Sequence, residues 1–314
     1  MLVICTTPSR SFHVSATTVG IAAAFGAVAI WAGWIVATRH AVGHALEPAA
    51  VGLLRFAIPV LVFAPVWWRT GLRPKGLSWP IMAALMGFGA PFFLVAGFAM
   101  QYAPAPDVAP LLSGAMPLIV ALVAMQQGER FAFARKLGLG LIVIGIFVIV
   151  GHSAFAGGGA WRGHLMLLAG AAMWAVYTLA FKRSGLSAIE AAAFVAVCST
   201  IILLPLGAPG LVRVVVAGHA LDVIVQATVQ GVLSGVLAIM LYGVAITRLG
   251  ATRGAALTAL VPVLAAVLSV PLLGERPGAA TALAIVATTL GVALAAGALD
   301  GWRLGRNRGN LPPA

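Results

Sequence analysis

Arg55 is the one charged side chain well inside any apolar run of this sequence. At 1.5 Å of rise per residue it lies about 10 Å below the end of the run that carries it. A charge at the middle of a membrane helix costs about 2.5–3.5 kcal/mol on insertion scales, so it must face the protein interior or water. Two chemistries fit. A guanidinium can clamp a carboxylate through two parallel hydrogen bonds. It can also serve as an anchor, to backbone carbonyls, to Glu47, or by reaching toward the headgroups. Trp31 and Trp34 are three residues apart and share a helix face, as do Trp174 and Tyr177. Each pair could wall a cavity for an apolar or aromatic substrate, or pack and anchor helices. Gln226 and Gln230, followed by Ser234, form a polar stripe at helical spacing. Such a stripe is either a cavity wall or interhelical glue. Pro117 and Pro262 fall near the middle of two other apolar runs. Proline removes a backbone donor and bends a helix, so the two are expected to act as hinges, to shape the cavity, or to be static kinks.

Other chemistries find no support. The seven acids are Glu47, Asp107, Glu129, Glu190, Asp222, Glu275 and Asp300, and all fall at run ends or in loops. A proton-driven carrier often buries a titrating carboxylate. Without one, facilitated diffusion, exchange and coupling through an end residue stay unranked. Asp107 and Asp222 read as acids favoured by a helix N-terminal dipole. His164 reads as an interface residue. The two Gly-Glu-Arg turns, at 128–130 and 274–276, read as internally paired caps. Two distant cysteines and the lack of a histidine cluster or a Walker sequence predict no cofactor and no metal. The charge of +12 is scattered in ones, twos and threes between apolar runs, which argues against a nucleic-acid partner.

The elements that must hold these residues are membrane helices. Of 314 residues, 62% are hydrophobic and 8% charged, against about 25% charged in soluble domains. Apolar stretches fall at roughly 17–38, 48–68, 79–100, 107–126, 134–151, 163–181, 191–209, 222–246, 253–273 and 279–298 by the rule of about twenty residues per span. The segment 210–220 reads as an apolar interfacial linker. With the N-terminus inside, 14 basic residues lie inside and 4 outside. That predicts ten crossings with both termini cytoplasmic.

The chain also repeats itself. Ala29 to Trp34 recurs as Ala172 to Tyr177, and Glu47 as Glu190, both offset by 143; Pro117 matches Pro262 at 145, and the Gly-Glu-Arg turns match at 146. Five spans per half, an odd number, would place the second half upside down, as in many secondary transporters. The expected units are a first five-helix repeat at 17–151, a second at 163–298, and a basic cytoplasmic tail at 299–314. Trp31 and Trp174, Arg55-Phe56, the two prolines and the two turns resemble the ten-helix drug/metabolite transporters with two EamA-type domains, over about Gly20 to Ala298. The resemblance implies a monomeric or homodimeric permease, often an exporter of amino acids or other metabolites. It also implies a central cavity lined mainly by spans 1, 3, 4, 6, 8 and 9. The halves depart from each other at Cys198, which stands where the offset would place a partner for Arg55.

The expected protein is therefore an all-α integral membrane protein of two inverted repeats in a bacterial inner membrane. It is expected to move small metabolites through the lipid bilayer by alternating access and not to be an enzyme. The rivals are a membrane-embedded enzyme on a lipid-linked substrate, which would need converging nucleophile and acid groups, and a non-transporting receptor or assembly subunit.

Overall fold

A computed structural model describes residues 15–71, 74 and 76–297. The basic tail lies outside the described residues, as do Arg73 and Lys75. Fourteen α-helices follow one another, and no strand occurs among the described residues. They are α1 (Ala16–Gly43), α2 (Pro48–Val62), α3 (Ala64–Thr70), α4 (Trp79–Leu85), α5 (Ala90–Tyr102), α6 (Ala105–Gln126) and α7 (Phe133–Phe155). The others are α8 (Ala160–Ser184), α9 (Ala188–Val216), α10 (Ala220–Gln226), α11 (Ala238–Leu249), α12 (Ala251–Thr258), α13 (Val261–Leu273) and α14 (Ala279–Ala295). A 3₁₀ turn, Met86–Phe88, joins α4 to α5, and a π-helical segment, Ala227–Leu237, joins α10 to α11.

Among the described residues eight helical stretches are long and apolar enough to cross a bilayer, three of them composites (Trp79–Tyr102, Ala220–Leu249 and Ala256–Leu273), or nine if α2 and α3 form one span bent by 76°. The bend follows from chemistry: Pro65 has no N–H to extend the ladder of α2, and α3 restarts around it. Helix starts show the same economy. Ser15 accepts from Thr18 N, and Ser187 and Glu190 form a reciprocal capping box at α9. α9 runs unbroken to Val216 despite Pro205 and Pro209, so residues 210–216 of the expected 210–220 linker are helix. The ninth apolar run tightens into a turn at 259–260 between α12 and α13, yet Ala256–Leu273 continues as one apolar stretch, with Pro262 the second residue of α13.

Packing repeats with the halves exchanged. α1 packs on α11 and α13, and α8 packs on α5 and α6, the equivalent helices of the other half. α2 lies on α9, and α7 on α14. These last two seams are backbone-close. A Cβ on Gly138 would stand 2.6 Å from Gly291 O, and one on Gly207 would stand 2.4 Å from Ala49 O. Phe93, Met100, Leu111, Leu112 and Leu167 fill the centre. Leu61, Phe147, Ile201, Val267 and Leu283 are exposed on the outside. Apolar side chains spread around a whole exterior need lipid to cover them.

Candidate functional site

A cavity of about 370 Å³ lies between the two halves. Trp31, Trp34 and Ile35 of α1, Phe88 and Phe92 of the third apolar run, and Trp174 of α8 supply its aromatic wall. Met116 and Pro117 of α6 close one side, and Tyr242 of α11 closes another. Trp31 meets Tyr242 edge-on at 5.2 Å, and Phe88 lies 5.1 Å from Trp174. Rings at these separations prefer tilted and edge-on contacts, which hold the wall in shape.

Arg55 enters this wall from α2. It is 7% exposed, and its Nη1 donates to Ser234 Oγ at 2.7 Å. Its Cζ lies 5.1 Å from the Trp34 ring and about as far from Phe56 and Phe93, at 5.9 and 6.0 Å. No carboxylate pairs with it among the described residues. The proposed contact to Glu47 is absent, since Glu47 pairs with Arg213 at 3.0 Å. The Trp34 ring has its Nε1–H buried and without an acceptor among the described residues. A buried donor without a partner costs about 1–3 kcal/mol, so one persists where something else can accept from it. The second cation on the wall is Arg135, near the start of α7 and 3.7 Å over the Phe131 ring. No acid lines the cavity.

A profile of the EamA-like transporter family matches residues 18–151 and 161–297. The chain belongs to this family. An uncharacterized transporter of Archaeoglobus fulgidus is 28% identical over 281 residues, covering 84% of this chain and 93% of that protein. An uncharacterized protein of Pseudomonas aeruginosa is 33% identical over 253 residues, covering 80% and 83%. A probable terminal-alkyne amino-acid exporter of Streptantibioticus cattleyicolor is 28% identical over 255 residues, covering 78% and 82%. A solved crystal structure covers 90% of this chain and 98% of its own with a TM-score of 0.55; at 22% identity it shows the shared fold alone.

Within this EamA-family chain, the residues singled out from sequence divide. Arg55, Trp31, Trp34, Trp174 and Pro117 line one cavity. Tyr177 stands behind the wall, 5.3 Å from Phe88 and stacked on Phe181. Gln226 donates to Ala37 O, and Gln230 donates to Thr38 Oγ1 and to Gln226 Oε1. Both glutamines thus bond the eighth run to α1 and stand off the cavity wall. Pro262 is buried beside the lining residue Val261. Phe88, Phe92, Tyr242 and Arg135 went unnoticed in the sequence. Tyr242 had a signal, a lone phenol within an apolar run; the others had none.

The end of the molecule at which α6 and α8 begin holds a second polar group. Glu275 accepts from Arg39 Nε at 2.8 Å and from Ala105 N at 2.6 Å, while Arg39 Nη1 donates to Met100 O. Glu275 therefore ties α1 and α6 to the turn before α14 and does not pair with Arg276, as a self-contained Gly-Glu-Arg cap would. His164 Nε2 lies 2.8 Å from Asp107 Oδ2, and His164 Nδ1 lies 2.9 Å from Ser153 Oγ. Thr281 donates to Asp107 Oδ1 at 2.7 Å. His164 is 1% exposed and Asp107 5%, so both are buried within the protein, and one carboxylate at a span end is buried after all. Ser153, His164 and Asp107 are the residue types of a hydrolytic triad. Ser153 is buried away from the cavity wall and also donates to Val150 O, which leaves no position for an acyl substrate.

Proposed function

We propose that this transporter exports a small carboxylate-bearing metabolite with an apolar or aromatic part, an amino acid being the nearest fit. The observation that carries this is the acid-free aromatic cavity with Arg55 unpaired by any carboxylate among the described residues. An incoming carboxylate can accept from the guanidinium, and charge-assisted hydrogen bonds of this kind are about twice as strong as neutral ones. With no acid at hand, an amino group would rest on the faces of Trp31, Trp174 or Tyr242 as a cation–π contact. The name of the relative from Streptantibioticus cattleyicolor, an amino-acid exporter, favours the same class.

Transport would proceed by alternating access between two inverted five-helix repeats. The exchange-symmetric packing supports this reading. Ten crossings result if α2 and α3 count as one span and the 17-residue α14 crosses as well. Both termini and Arg135 would then face the cytoplasm of a bacterial cell, by the placement of basic residues. The chain could work as a monomer or a homodimer.

Proteoliposomes containing the purified protein test the substrate class. Labelled aromatic and aliphatic amino acids would be compared with the amines made by removing their carboxyl groups. Carboxylates should move and the matched amines should not. Equal flux of an amine and its parent amino acid would defeat the reading.

A further inference from the structure

The Asp107–His164 junction takes no part in the cavity, yet four helices converge on it. Asp107 comes from α6, Ser153 from α7, His164 from α8 and Thr281 from α14. The first two belong to the first repeat and the last two to the second. Along α1, Arg39 lies four residues past the lining residue Ile35, about 6 Å further toward this end. The junction and the Arg39–Glu275 bridge therefore lie in the layer that closes the cavity off here, while the wall extends the other way to Arg135.

Proton counting shows why the junction is more than a structural tie. Ser153 has one hydroxyl proton and lies 2.9 Å from two acceptors, Val150 O and His164 Nδ1. The carbonyl can only accept. With the Ser153 proton on Val150 O, Nδ1–H donates to Ser153 Oγ. The Nε2 to Oδ2 hydrogen bond then needs a further proton, carried on the imidazole or on the carboxyl. Thr281 already donates to the other carboxylate oxygen and cannot supply it. With that proton the pair is neutral as a unit. If it leaves, a nitrogen lone pair faces a carboxylate, and either the bridge parts or Ser153 must turn its proton to Nδ1 so that the ring can change tautomer.

Nothing nearby offers a substitute charge. Arg39 and Glu275, from α1 and the α13–α14 turn, are matched to each other. Tyr102 of α5, His152 of α7, Arg162 of α8 and Arg276 of the turn are exposed, and none bonds to the pair. Asp107 is the third residue of α6 and His164 the fifth of α8. The proton can therefore come from the aqueous phase at this end.

We propose that the Asp107–His164 pair is a proton-binding site that latches the two repeats together, and that release of its proton lets this end of the cavity open. Transport would thereby be coupled to a proton. The proposal is independent of the charge of the substrate.

The test needs no substrate and uses the proton itself as ligand. Histidine-labelled full-length protein in liposomes is followed by ¹⁵N solid-state NMR across pH, with the His164 signal identified by its loss in His164→Gln. In parallel, spin labels at Phe155→Cys and Val216→Cys, in a Cys5→Ala, Cys198→Ala background, report the distance across this end; both sites are highly exposed. Expected is an imidazole protonated on both nitrogens, or hydrogen-bonded to a protonated Asp107, that gives up one proton as pH rises. The spin-label distance should lengthen with the same midpoint, and Asp107→Asn should flatten both curves. A ring that keeps one neutral tautomer and one hydrogen-bonded state throughout overturns the site. A ring that titrates while the distance stays fixed overturns the latch, as does an unaltered distance response in Asp107→Asn. Should that variant not fold, disagreement of the two wild-type midpoints overturns the latch equally.

Discussion

The two buried polar regions of this transporter are built on opposite rules. At the end where α6 and α8 begin, the polar groups are matched across the repeats: buried Asp107 with buried His164, and half-buried Arg39 with half-buried Glu275. In the cavity, Arg55 has one hydroxyl and three aromatic rings for company and no acid. Paired charges bind the protein to itself. An unpaired cation in an apolar wall is stabilised fully only when something anionic arrives. Two groups of similar burial thus divide the work, one holding the repeats together and one left open to a ligand.

The sharpest way to break this contrast is at the junction. His164→Leu leaves the Asp107 carboxylate buried without its main partner, a loss that costs about 3–5 kcal/mol when one member of a buried pair is removed. Thermal unfolding in detergent should fall steeply, and Asp107→Leu combined with His164→Leu should recover most of it. A single variant as stable as the wild type would show that the junction is not a tie. Arg55→Ala should do the reverse, keeping membrane abundance and losing affinity. Removing charge-assisted hydrogen bonds costs about 2–3 kcal/mol, roughly 30- to 150-fold in the apparent affinity for a carboxylate substrate. Initial rates against concentration measure it. Arg55→Lys should fall between, because an ammonium keeps the charge but not the fork.

Two smaller effects sharpen the same division. Gln230→Leu removes the bond to Thr38 on α1 and should cost about 0.6 kcal/mol of stability, as interhelical hydrogen bonds in membranes do. Its apparent affinity for substrate should be unchanged; a shift there would return Gln230 to the substrate path. Arg213→Ala cuts an exposed pair with Glu47 and should change stability by less than about 0.5 kcal/mol. It serves as the baseline for the junction variants in the same unfolding measurement.

What could be read in the sequence follows from the range of the interactions. Trp31 and Trp34 share a face because of helical geometry within three residues, and both line the cavity. Arg55 stood out because a charge in an apolar run is costly wherever the fold places it. The all-helical architecture and the two repeats were legible for the same reason, since periodic apolar runs and internal offsets are local in the chain. The junction was not legible. Asp107 and His164 are 57 residues apart, and Arg39 and Glu275 are 236 apart. Each looked like an ordinary helix-end residue because its partner is chosen by tertiary packing. The turn at 259–260 before Pro262 was hidden because a proline in an apolar run reads alike whether a helix runs on through it, as α6 does at Pro117, or begins beside it.

The glycine seams have a mechanical consequence. α7 with α14, and α2 with α9, approach so closely at Gly138, Gly291 and Gly207 that even one methyl would collide with backbone. Two rods in backbone contact cannot slip by a turn without first separating, because the ridges of one are seated in the grooves of the other. Each pair therefore behaves as a stiff rail, and each rail joins the same element of the two repeats. No extensive packing joins one rail directly to the other among the described residues. The compliance of the molecule is then left to what spans the gap between the rails: α1, α6, α8, α11 and the α12–α13 run. A disulfide clamped along either rail should leave transport running, whereas one fastening α1 to α13 should stall it.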